Sequence, residues 1–281
     1  MKILIILALL GFTRTELTEN YACVRNYKYV KEVLVDNVSG PYQMAIDHDT
    51  NTLFFSYAAQ ADEYFKIAHL SLKTKKFGLV SGIRGGFANA IDSSRHTVYM
   101  GGEDGIYKFN YDTKSASNLD IPRARLSIWQ MFYHDGLYFS TYPDEKPFLF
   151  KDGVVEEVHG VAPQRAMTIA ASKSGNVYYS NSSGLFSYNN ASGSTVQHSD
   201  SVANGFSSDI NGNLYYSVAD GIYYINEKET TIEKILSIDN CYGVAIEGNG
   251  DIVYSQTDSV TRLKQTNEEC KSELTEYKHN V

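Results

Sequence analysis

Six times along the chain a short alternating stretch closes on a small residue: LFFS (53–56), VYMG (98–101), LYFS (137–140), VYYS (177–180), LYYS (214–217) and IVYS (252–255). With the last aromatic or methionine of each as its anchor (Phe55, Met100, Phe139, Tyr179, Tyr216 and Tyr254), the spacings are 45, 39, 40, 37 and 38 residues. Such a period means one supersecondary unit used repeatedly, and four short antiparallel strands per unit make the blade of a β-propeller.

Residues 205–236 show the unit most plainly. GFSSDI, the turn NGN, LYYSV, a break at ADG, IYYINE, the turn KET and TIEKIL read as four strands joined by hairpins, with Asn and Gly where tight turns need positive φ. Equivalent third strands stand at GIYKFNYD (105–112), PFLFKDG (147–153) and GLFSYNN (184–190). A β-sandwich or two unrelated β domains would not space six copies evenly. The expected fold is therefore all-β, a six-bladed propeller forming one domain over residues 23–270, with a polar tail at 271–281.

The two ends of the chain repeat one another. KEVLVDN (31–37) has a near twin in EKILSIDN (233–240), the fourth strand of the fifth unit. The sixth unit offers only CYGVAIE, IVYS and VTRLKQ before turning polar. Its missing fourth strand is expected from residues 31–36, which closes the ring and hides edges that a linear array would expose. Cys23 would then precede the borrowed strand and Cys270 follow the third strand of the same blade, so these two should form a disulfide. Cys241, at the entrance of a first strand, is expected to be a small buried thiol.

Lys2 followed by the apolar run Ile3 to Phe12 has the order of a secretory signal peptide, with cleavage placed near residue 15. The run is far shorter than the roughly 20 apolar residues of a membrane span. A secreted protein is expected, and three glycosylation sequons, at Asn37, Asn181 and Asn190, agree with that compartment. The formal net charge of −8 and the absence of basic clusters argue against nucleic acid or an anionic membrane as partner.

Enzyme motifs are missing: no G-x-S-x-G, H-E-x-x-H or C-x-x-C, and no phosphate loop. The seven histidines are scattered and expected at the surface. Asp47, Asp92, Asp209 and Glu247 recur at the ends of first strands, where hairpin chemistry explains them; no metal set and no cofactor is expected. What recurs besides is aromatic. Aligned on their turns, the six first strands bring Tyr42, Phe87, Trp129, Met167, Asn204 and Tyr242 to one level beside the channel. Gln43, Gln130 and Thr168 stand next to them, and Arg84 and Arg165 lie in the preceding connections. A planar, polar-edged aromatic molecule would find stacking faces, amides and guanidiniums there. The same residues could instead plug the channel as core, and their pattern leaves both readings open.

The phrases PYQMAID, TNTLFFSY, FKIAHLSLKTKKF, GGFANAID, VYMGGEDGIYKFNYDTK and IWQMFYHDGLYFSTYP resemble the insect ommochrome-binding proteins, secreted haemolymph proteins of Lepidoptera. The likeness spans about residues 23–270. It implies non-covalent binding of a planar, carboxylate-bearing pigment by a non-catalytic carrier. Two alternatives are a calcium-dependent lactonase or esterase on a similar propeller, and an extracellular propeller that binds proteins on its blade rims.

Overall fold

A computed structural model describes residues 20–59 and 64–270; the expected signal peptide and polar tail lie outside them. The described chain forms six antiparallel sheets, the blades of a six-bladed propeller. Blades one to five have four strands each and cover residues 39–79, 88–118, 128–157, 168–199 and 205–237. In the fifth, strands Gly205–Ser208, Leu214–Val218, Gly221–Asn226 and Thr231–Ser237 reproduce the sequence parse. Glycine opens the third strand for a steric reason: at Gly184 and Gly221 a Cβ would stand 2.0 and 2.1 Å from the carbonyl oxygens of Ser199 and Leu236.

Blade six joins the two ends of the chain. Its sheet order runs Tyr21–Val24, Tyr27–Asp36, Ser259–Glu269, Ile252–Ser255, Gly243–Ile246. The borrowed strand is longer than residues 31–36, pairing from Tyr27 opposite Glu269 to Asp36 opposite Ser259. A fifth strand, Tyr21–Val24, folds back on it as a hairpin. Cys23 therefore lies inside that added strand, and it forms the disulfide with Cys270. Cys241 is free and fully buried, and burial pushes its thiol up to about 12.

The repeated phrase now has a physical explanation. Six apolar clusters fill the six seams between neighbouring blades. Each anchor residue packs into the seam shared with the preceding blade: Phe55 beside Val253 and Val260 of blade six, for example, and Tyr254 beside Ile222 and Leu236 of blade five. Burying such a side chain contributes about 1.5–3 kcal/mol. In three blades the serine that follows donates to the segment leading into, or opening, the next blade's first strand, whereas Ser56 donates to the Tyr42 carbonyl of its own blade. Ser140 Oγ donates to the Met167 carbonyl at 2.7 Å, Ser180 Oγ to that of Ala203 at 3.3 Å, and Ser255 Oγ to that of Pro41 at 2.7 Å. In blade two the position is Gly101, because a Cβ there would meet Ile128 Cγ2 of blade three at 2.5 Å.

Three of the four acidic strand ends are turn residues. Asp209 Oδ1 accepts from the backbone N–H of Asn211 and Asn213, both at 2.9 Å; Asp47 and Asp92 hold their turns in the same way. Glu247 is different: it is buried and ion-paired with Arg262, whose guanidinium also donates to the Leu72 carbonyl of blade one. The histidines are less uniform than expected, His48 and His69 being half-buried.

Candidate ligand-binding site

The six first strands run in one sense around the channel, so their beginnings share one mouth. Four of the six aligned positions share one backbone hydrogen bond, while Tyr42 and Trp129 stand at register shifts. The N–H groups of Phe87, Met167, Asn204 and Tyr242 donate to the carbonyls of Gly101, Ser180, Ser217 and Ser255, the small residues of the repeat. Ring closure brings the aromatic members into an arc over blades six, one, two and three. Tyr242 stacks on Tyr42 with ring centroids 4.9 Å apart, Tyr42 lies 6.0 Å from Phe87, and Phe87 stacks on Trp129 at 4.4 Å. Two rings not singled out in the sequence extend it. Tyr142, directly after the second strand of blade three, stacks on Trp129 at 5.2 Å; Phe65, which opens the third strand of blade one, sets its edge on Phe87 at 4.6 Å. Both occupy strand ends at the same mouth, a position readable from the repeat.

The arc is both packing and platform. Phe87 is buried, whereas Tyr42, Trp129 and Tyr242 are partly exposed and Tyr142 is 58% exposed. Burial, and after it the proximity of Tyr242, raises the Tyr42 phenol, which stays protonated and able to donate at neutral pH.

The neighbouring amides are committed to the ring itself. Gln130, 1% exposed, donates from Nε2 to the Met131 carbonyl and accepts the Ile169 N–H at 2.8 Å, tying blade three to blade four. Gln43 is buried in a left-handed backbone conformation (φ 50°); its carbonyl accepts from Asn89 Nδ2 at 3.0 Å and its Nε2 reaches the Asn204 carbonyl at 3.5 Å. Thr168 exchanges a hydroxyl hydrogen bond with Ser180 at 2.8 Å. Asn204 donates to the Cys241 carbonyl at 2.8 Å.

The two arginines part company. Arg84 is paired with Glu103 at 2.9 Å and lies over the Tyr64 ring at 5.6 Å. Arg165 is exposed and makes no hydrogen bond or ion pair among the described residues. Its backbone is held at φ 61°, ψ 159°, a region where only glycine is at ease and where other residues cost about 1–3 kcal/mol. Such strain concentrates where a side chain must be presented. Arg165 lies two residues before Met167, in the connection from blade three to blade four.

The opposite end of the channel holds a chamber of about 220 Å³, lined by Met44, Asn89, Met131, Phe206 and Asp209 among others. Its lining carries Asp209 and no lysine or arginine. Among the described residues no three His, Cys, Asp or Glu side chains group as metal ligands, and no helix is long and apolar enough to cross a membrane.

Comparison with known proteins gives two kinds of likeness. The ommochrome-binding protein of Manduca sexta is 38% identical over 271 residues, covering 94% of this chain and 98% of that protein. Among solved structures, a gluconolactonase of Xanthomonas campestris superposes with a TM-score of 0.68 at 13% identity, covering 85% of this chain and 90% of that one. Virginiamycin B lyase of Staphylococcus aureus, in a selenomethionine-substituted crystal structure, gives 0.56 at 11% identity, with 85% and 99% covered. At these identities the structural matches bear on the propeller fold alone. No family model matches the chain.

Proposed function

The chain belongs to the ommochrome-binding protein family, and from that premise we propose that it is a secreted, non-catalytic carrier that holds a planar ommochrome-type pigment non-covalently at the aromatic mouth of the channel. The observation that carries this reading is the presence of a stacked aromatic arc and, in the connection between blades three and four, an unpartnered guanidinium, Arg165, on a strained backbone. The partly exposed rings offer stacking, worth about 0.5–1.5 kcal/mol per ring beyond the area buried. Arg165 offers a charge-assisted contact to a carboxylate. Micromolar affinity needs about 8 kcal/mol, so the ligand must engage several rings together.

Visible absorbance of the protein purified from its source, followed by titration of the stripped protein with an ommochrome pigment, tests the reading. One pigment per chain, bound equally well in EDTA, is the expected result. Binding lost in chelator, together with lactone or ester hydrolysis restored by calcium, would favour the hydrolase alternative. A co-purifying protein and no colour would favour the rim-binding one.

A further inference from the structure

On the face opposite the aromatic arc, a cleft of about 390 Å³ opens between blades five and six beneath the N-terminal hairpin. Its volume lies in the range of small-molecule sites. Tyr27, Tyr29 and Tyr215 wall it, and Val24, Ile235 and Ile252 are among its apolar lining. The ionised groups around it are already balanced or weakly anionic. Arg25 is paired with Glu233 at 2.9 Å and lies 4.2 Å from the Tyr224 ring centroid; Glu247 is taken by Arg262; Asp209 contributes a negative charge.

Two phenols are available to a ligand. Tyr29 is 7% exposed and Tyr215 is half-buried, and their hydroxyls, which are not among the buried unpaired atoms, have no hydrogen-bond partner among the described residues. An apolar body that fills the cleft would cut these donors off from water, so a ligand that fits must bring an acceptor of its own. Both hydroxyls can donate to a carbonyl or hydroxyl oxygen, while the tyrosine and aliphatic walls accept a flat apolar body.

We infer that this cleft is a second ligand site, for an uncharged planar aromatic molecule that carries a carbonyl or hydroxyl oxygen to accept from Tyr29 and Tyr215. It is separate from the arc and does not depend on the pigment reading. An anionic ligand meets Asp209 with no free cation, which is why the site calls for a neutral one.

The neutral naphthalene ketone prodan serves as probe, its emission shifting blue in an apolar, hydrogen-bonding site. The expected result is saturable binding of one probe per chain to the intact protein. Tyr29→Phe and Tyr215→Phe, which keep the walls, should each weaken it about fivefold, the worth of one neutral hydrogen bond. Tyr27→Ala, a change at an exposed wall, should weaken it further, and Trp129→Ala at the distant arc should leave it unchanged. Absence of saturable binding, or binding insensitive to all three cleft variants, overturns the inference. Displacement of prodan by pigment, lost in the Tyr29→Phe variant, would keep the cleft as a ligand site and move the pigment to it, sinking the arc reading instead.

Discussion

Tyr42 and Tyr242 begin the first strands of blades one and six, at opposite ends of the chain, and their rings stack with centroids 4.9 Å apart and planes inclined by 26°. The contact exists only in the closed ring. A site built on it is therefore tied to whatever holds blade six shut, and the closure and the arc can be tested together.

Removing the disulfide should loosen both. Replacing Cys23 and Cys270 together by serine is expected to lower unfolding free energy by about 2–5 kcal/mol, measured by urea denaturation. Peptide mapping of the unreduced parent should recover Cys23 joined to Cys270, with Cys241 as a free thiol. A parent whose stability is unchanged by the double substitution would show that strand pairing alone closes the ring.

At the arc, Trp129→Ala should weaken pigment binding by roughly three- to tenfold, the worth of one stacked ring, in a protein with an unchanged circular dichroism spectrum. Arg165 separates function from stability. Arg165→Gly should raise the melting temperature by about 2–4 °C for each kcal/mol of strain relieved, while lowering affinity for the carboxylate-bearing pigment. Arg165→Ala should lower affinity without the gain in melting temperature. If both variants bind like the parent, Arg165 is no anchor.

Acid should attack the closure. Glu32, on the borrowed strand, bonds Arg262 at 3.0 Å, Lys264 at 2.8 Å and Lys75 of blade one at 2.8 Å. Burial works against its ionisation, but these hydrogen bonds prevail and hold the carboxyl at about 2, down from 4.5. A depressed folded value stabilises above the unfolded value and is lost as pH falls through the folded one, so stability should drop between about pH 4.5 and 2, by at most about 3 kcal/mol. Glu247 is raised, by burial despite Arg262, and its protonation trims the loss. Chemical denaturation across this range should show a flatter acid limb for Glu32→Gln.

The three sequons should differ. Asn37 and Asn190 are exposed, whereas Asn181 is 9% exposed, donates to the Gln164 carbonyl and accepts the Ser183 N–H, each at 2.9 Å. Glycopeptide mapping of protein made in insect cells is expected to find glycans at Asn37 and Asn190 only. An occupied Asn181 in folded protein would require that turn to be rebuilt.

The propeller was legible because its determinants are local and repeated: period-two alternation, an anchor for each seam and a small residue at each close approach. The disulfide followed once the ends were seen to share a blade. The hairpin strand Tyr21–Val24 was not legible, since it lies outside the repeat and packs on a strand that is itself borrowed. At the site the level of Tyr42, Phe87, Trp129 and Tyr242 could be read from the repeat alone. That Gln43 and Gln130 serve the ring could not, because their partners, Asn204 and Ile169, belong to other blades. The pairing of Arg84 with Glu103, against the freedom of Arg165, was equally hidden, resting on loop geometry that no periodicity reports.

The strand pairing of Tyr27–Asp36 with Ser259–Glu269 also sets an order of events during synthesis. Blades one to five can form hairpin by hairpin as they leave the ribosome, whereas the borrowed strand is made early and must wait for nearly the last residues of the ring. At about 5–20 residues per second, its half-apolar edge stays unmatched for tens of seconds. A chain arrested anywhere before residue 259 keeps that edge open, a template for pairing with another chain. One strand pair thus makes the completeness of the whole ring depend on the two most distant parts of the described chain.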